Sequence, residues 1–202
     1  MSQRAISRER HEWDLEPDEA ALAMTGNIAN TSEREKHIKD LISKGSVLSM
    51  LNLAHMYEHR YAEDGGPDLD LAETWYRAAV EKGSAVATLK AGYFYLRKKE
   101  YVKARKMFSI GAQREYAPSV LRLAHLYANG LGVEKDDVRA DELLLRAAKL
   151  GNLWAKISRA ERYMNTDGNY LKVAKGLCLI CVAAVQFRFE RKFRPWSEKL
   201  KK

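Results

Sequence analysis

Cysteine is almost missing from this chain: two of 202 residues, Cys178 and Cys181, so no disulfide framework can hold the fold. Proline is scarce too, at four residues. No apolar run approaches the roughly 20 residues that a membrane-spanning helix needs; the longest, Leu177 to Val185, is far shorter. Met1-Ser2-Gln3-Arg4-Ala5 has no apolar signal core, so a cytoplasmic location is expected. Catalytic signatures are also missing: no Walker loop, no G-x-S-x-G and no S-x-x-K. Gly130-Leu131-Gly132 lacks a third glycine and a preceding strand, which excludes a dinucleotide loop.

What remains is a chain long enough for one well-cored domain, 46% hydrophobic and 31% charged. The formal net charge is +8, a balance that favours acidic partners: a peptide, a nucleic acid or an anionic membrane surface. The charge is uneven. Residues 1–31 hold three arginines against six acids, whereas residues 188–202 hold seven lysines and arginines against two acids.

Helical spacing dominates the middle. From Ala117 to Tyr127 apolar residues recur every three or four positions, a glycine-bearing turn interrupts them, and the spacing resumes from Ala140 to Ala148. This is a helix-turn-helix hairpin. Gly130 and Gly132 suit the turn, Val133 can plug the gap beneath it, and Asp136 can cap the second helix. Small Ala124, Ala140, Ala147 and Ala148 let the two helices approach closely.

The hairpin recurs. Tyr57, Tyr95, Tyr127 and Tyr163 stand at matching positions, and twelve residues before each lies Gly45, Gly83, Glu115 or Gly151. Glycine there fits a helix C-terminus closed by a left-handed residue. Three residues before each tyrosine is a small residue, Ala54, Gly92, Ala124 or Ala160. The second helices align through Ala72-x-x-Trp75-Tyr76, Ala104-x-x-Met107-Phe108 and Ala140-x-x-Leu143-Leu144.

Tyr127-x-x-Gly130-x-Gly132-Val133-x-x-Asp136-x-x-x-Ala140 resembles the Sel1-like repeat, a relative of the tetratricopeptide repeat. So does Ala72-x-x-Trp75-Tyr76-Arg77-Ala78-Ala79-x-x-x-Gly83. The resemblance covers about residues 32–187. The second repeat departs from it, with a short turn (Leu96 to Glu100) that has lost both glycines, and the fourth has an irregular turn at Asn165 to Gly168. The resemblance implies an all-α, right-handed α-solenoid of about four helix-turn-helix repeats that binds proteins or peptides.

Three regions are expected. Residues 1–31 form an acidic, partly mobile segment in which Pro17 to Met24 can form a short helix. Residues 32–193 form the solenoid. It opens on a capping box, Ser32-x-x-Glu35, with a helix to about Lys44. It closes on a capping helix, Leu171 to about Phe193, in which Cys178 and Cys181 are small buried residues. Residues 194–202 form a basic tail.

One pentapeptide tempts a chemical reading. His55-Met56-Tyr57-Glu58-His59 has the H-x-x-E-H form of inverted zinc proteases, with both histidines on one helical face. No motif supplies a third ligand, and Tyr57 is already the repeat tyrosine. No catalytic residue, metal set or cofactor is therefore assigned.

Projecting the first helices at about 100° per residue places Met50, Leu53, Ala54 and Tyr57 inside the hairpin. The opposite face carries three rows: Leu48, Val86, Pro118 and Trp154; Leu51, Leu89, Leu121 and Ile157; His55, Tyr93, His125 and Glu161. Asn52, Lys90, Arg122 and Ser158 flank them, with His59, Arg97 and Asn129. Either this face is an open apolar groove with a basic rim, or the leucine row packs away and only the polar rows stay exposed. The expected partner-binding set is Leu48, Leu51, Asn52, His55, His59, Val86, Leu89, Lys90, Tyr93, Arg97, Arg122, His125 and Trp154. It suits an acidic or amphipathic protein or peptide. Trp13-Asp14-Leu15-Glu16 is a tethered segment of that chemistry; the alternative is a tail without contact.

The expected function is a non-enzymatic interaction scaffold or adaptor, either a signalling adaptor or an immunity-type neutraliser. The alternative is a peripheral membrane or nucleic-acid factor that uses the basic, phenylalanine-rich C-terminal helix.

Overall fold

The computed structural model describes residues 31–59 and 66–164, together with Cys178, Cys181 and Val185. Among the described residues the ordered elements are eight helices of near-equal length and no strands. They are α1 (Thr31–Ser43), α2 (Val47–His59), α3 (Leu69–Glu81), α4 (Ala85–Arg97), α5 (Tyr101–Gln113), α6 (Ala117–Asn129), α7 (Asp137–Lys149) and α8 (Leu153–Met164). Each packs mainly on its neighbours in sequence, and α4 also touches α6. The architecture is an α-solenoid, and one apolar core runs through it from Val47 to Ala155.

The repeat register is set at the junctions between hairpins. Gly45, Gly83, Glu115 and Gly151 all adopt positive φ, at 96°, 93°, 56° and 88°. Each ends its helix in the same way. At the third, Glu115 N–H donates to the Ala112 carbonyl and Tyr116 N–H to that of Gly111, the paired bonds of a left-handed stop. The residue after each glycine then caps the next helix. Ser46 accepts from Ser49 N–H, Ser84 from Ala87 N–H and Asn152 from Ala155 N–H. Stop and cap are adjacent, so the chain reverses in three residues and successive hairpins stay in contact.

Small residues let the helices approach. Ala54, Ala124 and Ala160 are fully enclosed. At the equivalent place Gly92 has no room even for a methyl, because the Phe108 ring fills that space. Bulk has moved from α4 to α5 there, and Tyr93 stacks edge-on against the same ring.

Turns within hairpins come in two lengths. In the first and third repeats a long turn returns to the tyrosine: Asp68 N–H donates to the Tyr57 carbonyl and Asp136 N–H to that of Tyr127. Asp68 and Asp136 then accept from Leu71 and Arg139 N–H, capping α3 and α7. Val133 is half-buried beneath the turn. In the second repeat only residues 98–100 intervene, and Lys99 takes the left-handed conformation (φ 60°) without a glycine.

Two expectations are corrected. Helix α1 is already under way at Thr31, so Ser32 lies inside it and not at a cap; Glu35 accepts from the Tyr57 hydroxyl at 2.7 Å. Cys178 and Cys181 are helical as expected but exposed, not buried. Val185, also helical, is exposed too, so none of the three adds to the core. The expected Pro17 to Met24 helix, the Trp13 to Glu16 segment, the Asn165 to Gly168 turn, the rest of the C-terminal helix and the basic tail lie outside the described residues. No helix among the described residues is long and apolar enough to cross a membrane.

Candidate partner-binding face

The first helices α2, α4, α6 and α8 present the face that the helical projection selects. Its leucine row is largely withdrawn. Leu51 and Leu121 are buried at 7% and 5% exposure, and Leu89 and Val86 are half-buried against the core. Leu51 is therefore corrected from a surface contact to a core residue: burying it removes its apolar area from water. Leu48 and Asn52 are half-buried. His55, His59, Lys90, Arg97 and Trp154 are exposed, with Tyr93, Arg122 and His125 between these extremes. Polar rows over a packed leucine row, the second of the two sequence readings, describe α2, α4 and α6, whereas Trp154 of the first apolar row stays exposed on α8.

Its centre is preorganised. The Arg122 guanidinium lies 5.1 Å from the centroid of the Tyr93 ring, a cation–π geometry. Phe108 holds that ring from behind at 5.9 Å. Tyr93 therefore couples α4, α5 and α6. Beside it, His125 is held below the usual histidine range, by burial first and by the Arg122 charge second. Burial likewise lowers His55, and neighbouring His59 adds to the effect.

Arg97 is exposed but not a free rim cation. It bonds to the buried Glu58 carboxylate through Nε and Nη2. Glu58 also accepts from the Tyr76 hydroxyl at 2.9 Å. The middle acid of H-x-x-E-H is thus committed to α3 and α4 and is not poised over the two histidines. Among the described residues no three His, Cys, Asp or Glu side chains converge on a metal position.

Sequence reasoning missed this anchor and a second one. Glu73 accepts from the Tyr95 hydroxyl and from Lys98 and Lys103. Burial pushes its carboxyl up, but those bonds outweigh burial and hold it below the usual range. Burial and Glu73 push the Tyr95 phenol up to about 12. The signal available was spacing: Tyr57 bonds Glu35 and Tyr95 bonds Glu73, each across 22 residues.

The Sel1 repeat model matches residues 47–84 and 117–152, the two hairpins with long turns. Over 86 residues the chain is 30% identical to the ERAD-associated E3 ubiquitin-protein ligase component HRD3 of Candida glabrata, covering 40% of this chain and 10% of that protein. Over 80 residues it is 39% identical to mouse protein sel-1 homolog 2, covering 37% of this chain and 12% of the relative. The chain thus spans about a tenth of the length of these relatives. Among solved structures it resembles a Sel1 repeat protein from Oxalobacter formigenes (TM-score 0.64, 22% identity, 85% of this chain, 76% of that one). It also resembles c5321, a protective antigen of uropathogenic Escherichia coli (TM-score 0.61, 21% identity, 90% and 46%). The fold is a Sel1-type solenoid, and the chain carries two stretches, residues 47–84 and 117–152, that match the Sel1 repeat.

Proposed function

We propose that this protein is a non-enzymatic interaction scaffold that holds an acidic protein segment across α2, α4 and α6. The observation that carries this reading is the Tyr93–Arg122 stack, a fixed cation–aromatic centre with Lys90 exposed on the same helix as the tyrosine. An acidic side chain gains a hydrogen-bonded partner there at little ordering cost, because the Tyr93 ring, itself held by Phe108, already restrains the arginine. The relatives favour the same class of role: one is named as a component of a ubiquitin-ligase assembly.

The test is fluorescence anisotropy with a labelled peptide that alternates glutamate and leucine. Lys90→Glu with Arg122→Glu should weaken binding at least tenfold at low salt, while Lys106→Glu on α5 should leave it unchanged. Equal affinity of the intact protein and the double variant would overturn the reading.

A further inference from the structure

The His55–His59 pair is a feature that the interaction face does not use as such. The two residues stand one turn apart on exposed positions of α2, and their rings stack with centroids 4.2 Å apart and planes 25° from parallel. His59 Nδ1 lies 3.2 Å from the His55 carbonyl oxygen. A carbonyl only accepts, so Nδ1–H is the donor in this contact, and in the neutral ring that tautomer leaves the lone pair on Nε2. Metal-binding histidines are oriented in this way, with the second ring nitrogen donating to a carbonyl or carboxylate. Two imidazole nitrogens at about 2.0–2.1 Å from one ion stand about 2.9 Å apart in cis positions of a square-planar or octahedral shell and about 3.3 Å apart in a tetrahedral one, and the two rings lie side by side with centroids 4.2 Å apart.

We propose that His55 and His59 form a two-histidine chelate for a divalent transition-metal ion of the Ni2+, Cu2+ and Zn2+ class. Imidazole donors suit these ions and not Mg2+ or Ca2+. The buried Glu58 carboxylate, 3.8 Å from His59 Nδ1, supports the donor ring but is held by Tyr76 and Arg97, so it stays outside the coordination shell. With no third side chain converging among the described residues, water occupies the remaining positions. The site is therefore a two-histidine surface chelate. Lys90, whose charge acts on His55, opposes the ion, and Arg97 does so less because Glu58 neutralises it.

The experiment uses the full chain with Cys178→Ala and Cys181→Ala, so that the exposed thiols do not compete, and titrates NiCl2 by calorimetry near neutral pH. One equivalent should bind, Cu2+ should bind more tightly than Ni2+, and Mg2+ should not bind. His55→Ala or His59→Ala should each abolish that equivalent, His37→Ala should not change it, and Lys90→Ala should tighten it. An unchanged metal-free melting temperature in the histidine variants establishes that they fold. Retention of the equivalent in both variants, or no stoichiometric Ni2+ in the parent, would overturn the proposal. The peptide experiment is independent: Lys90 substitution moves the two readouts in opposite directions.

Discussion

Arg97 reaches back 39 residues to the buried carboxylate of Glu58. The pair ties the end of α4 to the end of α2, across the full depth of one repeat. Removing one partner of a buried pair leaves a desolvated charge, but Arg97 is half exposed, and water screens part of the loss. Arg97→Ala should therefore cost about 1–2 kcal/mol. In a double-mutant cycle with Tyr76→Phe, which removes the other donor to Glu58, the two losses should be non-additive. Additive urea midpoints would show that the three side chains do not act as a unit.

Gly130 and Gly132 share φ 66° but not surroundings. A methyl on Gly130 meets Lys135 only at ordinary contact distance, whereas one on Gly132 lands 2.5 Å from the Tyr101 backbone carbon. Backbone at the start of α5 cannot swing aside as a side chain can. Gly130→Ala should cost about 1–2 kcal/mol, the ordinary penalty of left-handed backbone. Gly132→Ala should cost about 2 kcal/mol more, from overpacking. Denaturant melts of the two variants, made side by side, check the order; equal losses would contradict the packing of this turn on α5.

The family register was legible because one backbone conformation has one preferred residue. Gly45, Gly83 and Gly151 announce left-handed stops, and Glu115 is found by spacing alone. The serine or asparagine caps that follow the glycines directly were equally visible and were overlooked. Burial of Leu51 was not legible, because projecting a single helix carries no information about how closely neighbouring helices approach. Nor was Glu58, whose partners Tyr76 and Arg97 lie 18 and 39 residues away. A charged residue beside two histidines looks like chemistry until its distant partners are placed.

Glu115 is the one member of that register with a side chain to strain. Left-handed backbone costs an L-residue about 1–2 kcal/mol, against about 0.5–1 kcal/mol of extra unfolded-state entropy for glycine. Glu115→Gly should stabilise the protein by about 0.5–1 kcal/mol, a rise of roughly 1–4 °C in Tm for a domain of this size. Calorimetry measures it, and a lower Tm would mean that the Glu115 side chain contributes more than its backbone loses.

Arg105 stands where the tyrosine ladder calls for an acid. Glu35 and Glu73 each accept from a tyrosine 22 residues on, and Tyr127 is 22 residues beyond Arg105. The Arg105 Nε is enclosed with no partner among the described residues. Arg105→Glu should supply the missing acceptor and relieve that nitrogen, for a gain of about 0.5–1.5 kcal/mol. Adding Tyr127→Phe to the Arg105→Glu variant should abolish the gain; if it persists, the third rung has not formed.

His125 gives the candidate face a pH dependence whose sign follows from its environment. Burial, then Arg122, hold its folded-state pKa below the ordinary 6.5. The unfolded chain therefore binds the proton first as pH falls, and the folded state is penalised. The stability that neutral His125 contributes is fully present above pH 6.5 and is lost as pH falls from there through the lowered folded value. The slope from one such group is at most about 1.4 kcal/mol per pH unit. His55 is shifted in the same direction, so the comparison must be differential. His125→Gln should flatten the dependence of unfolding free energy on pH below about 6.5 relative to the parent, and leave the slope between about pH 7.5 and 8.5 unchanged. Parallel curves for the two proteins across the acid range would show that His125 titrates normally in the folded state.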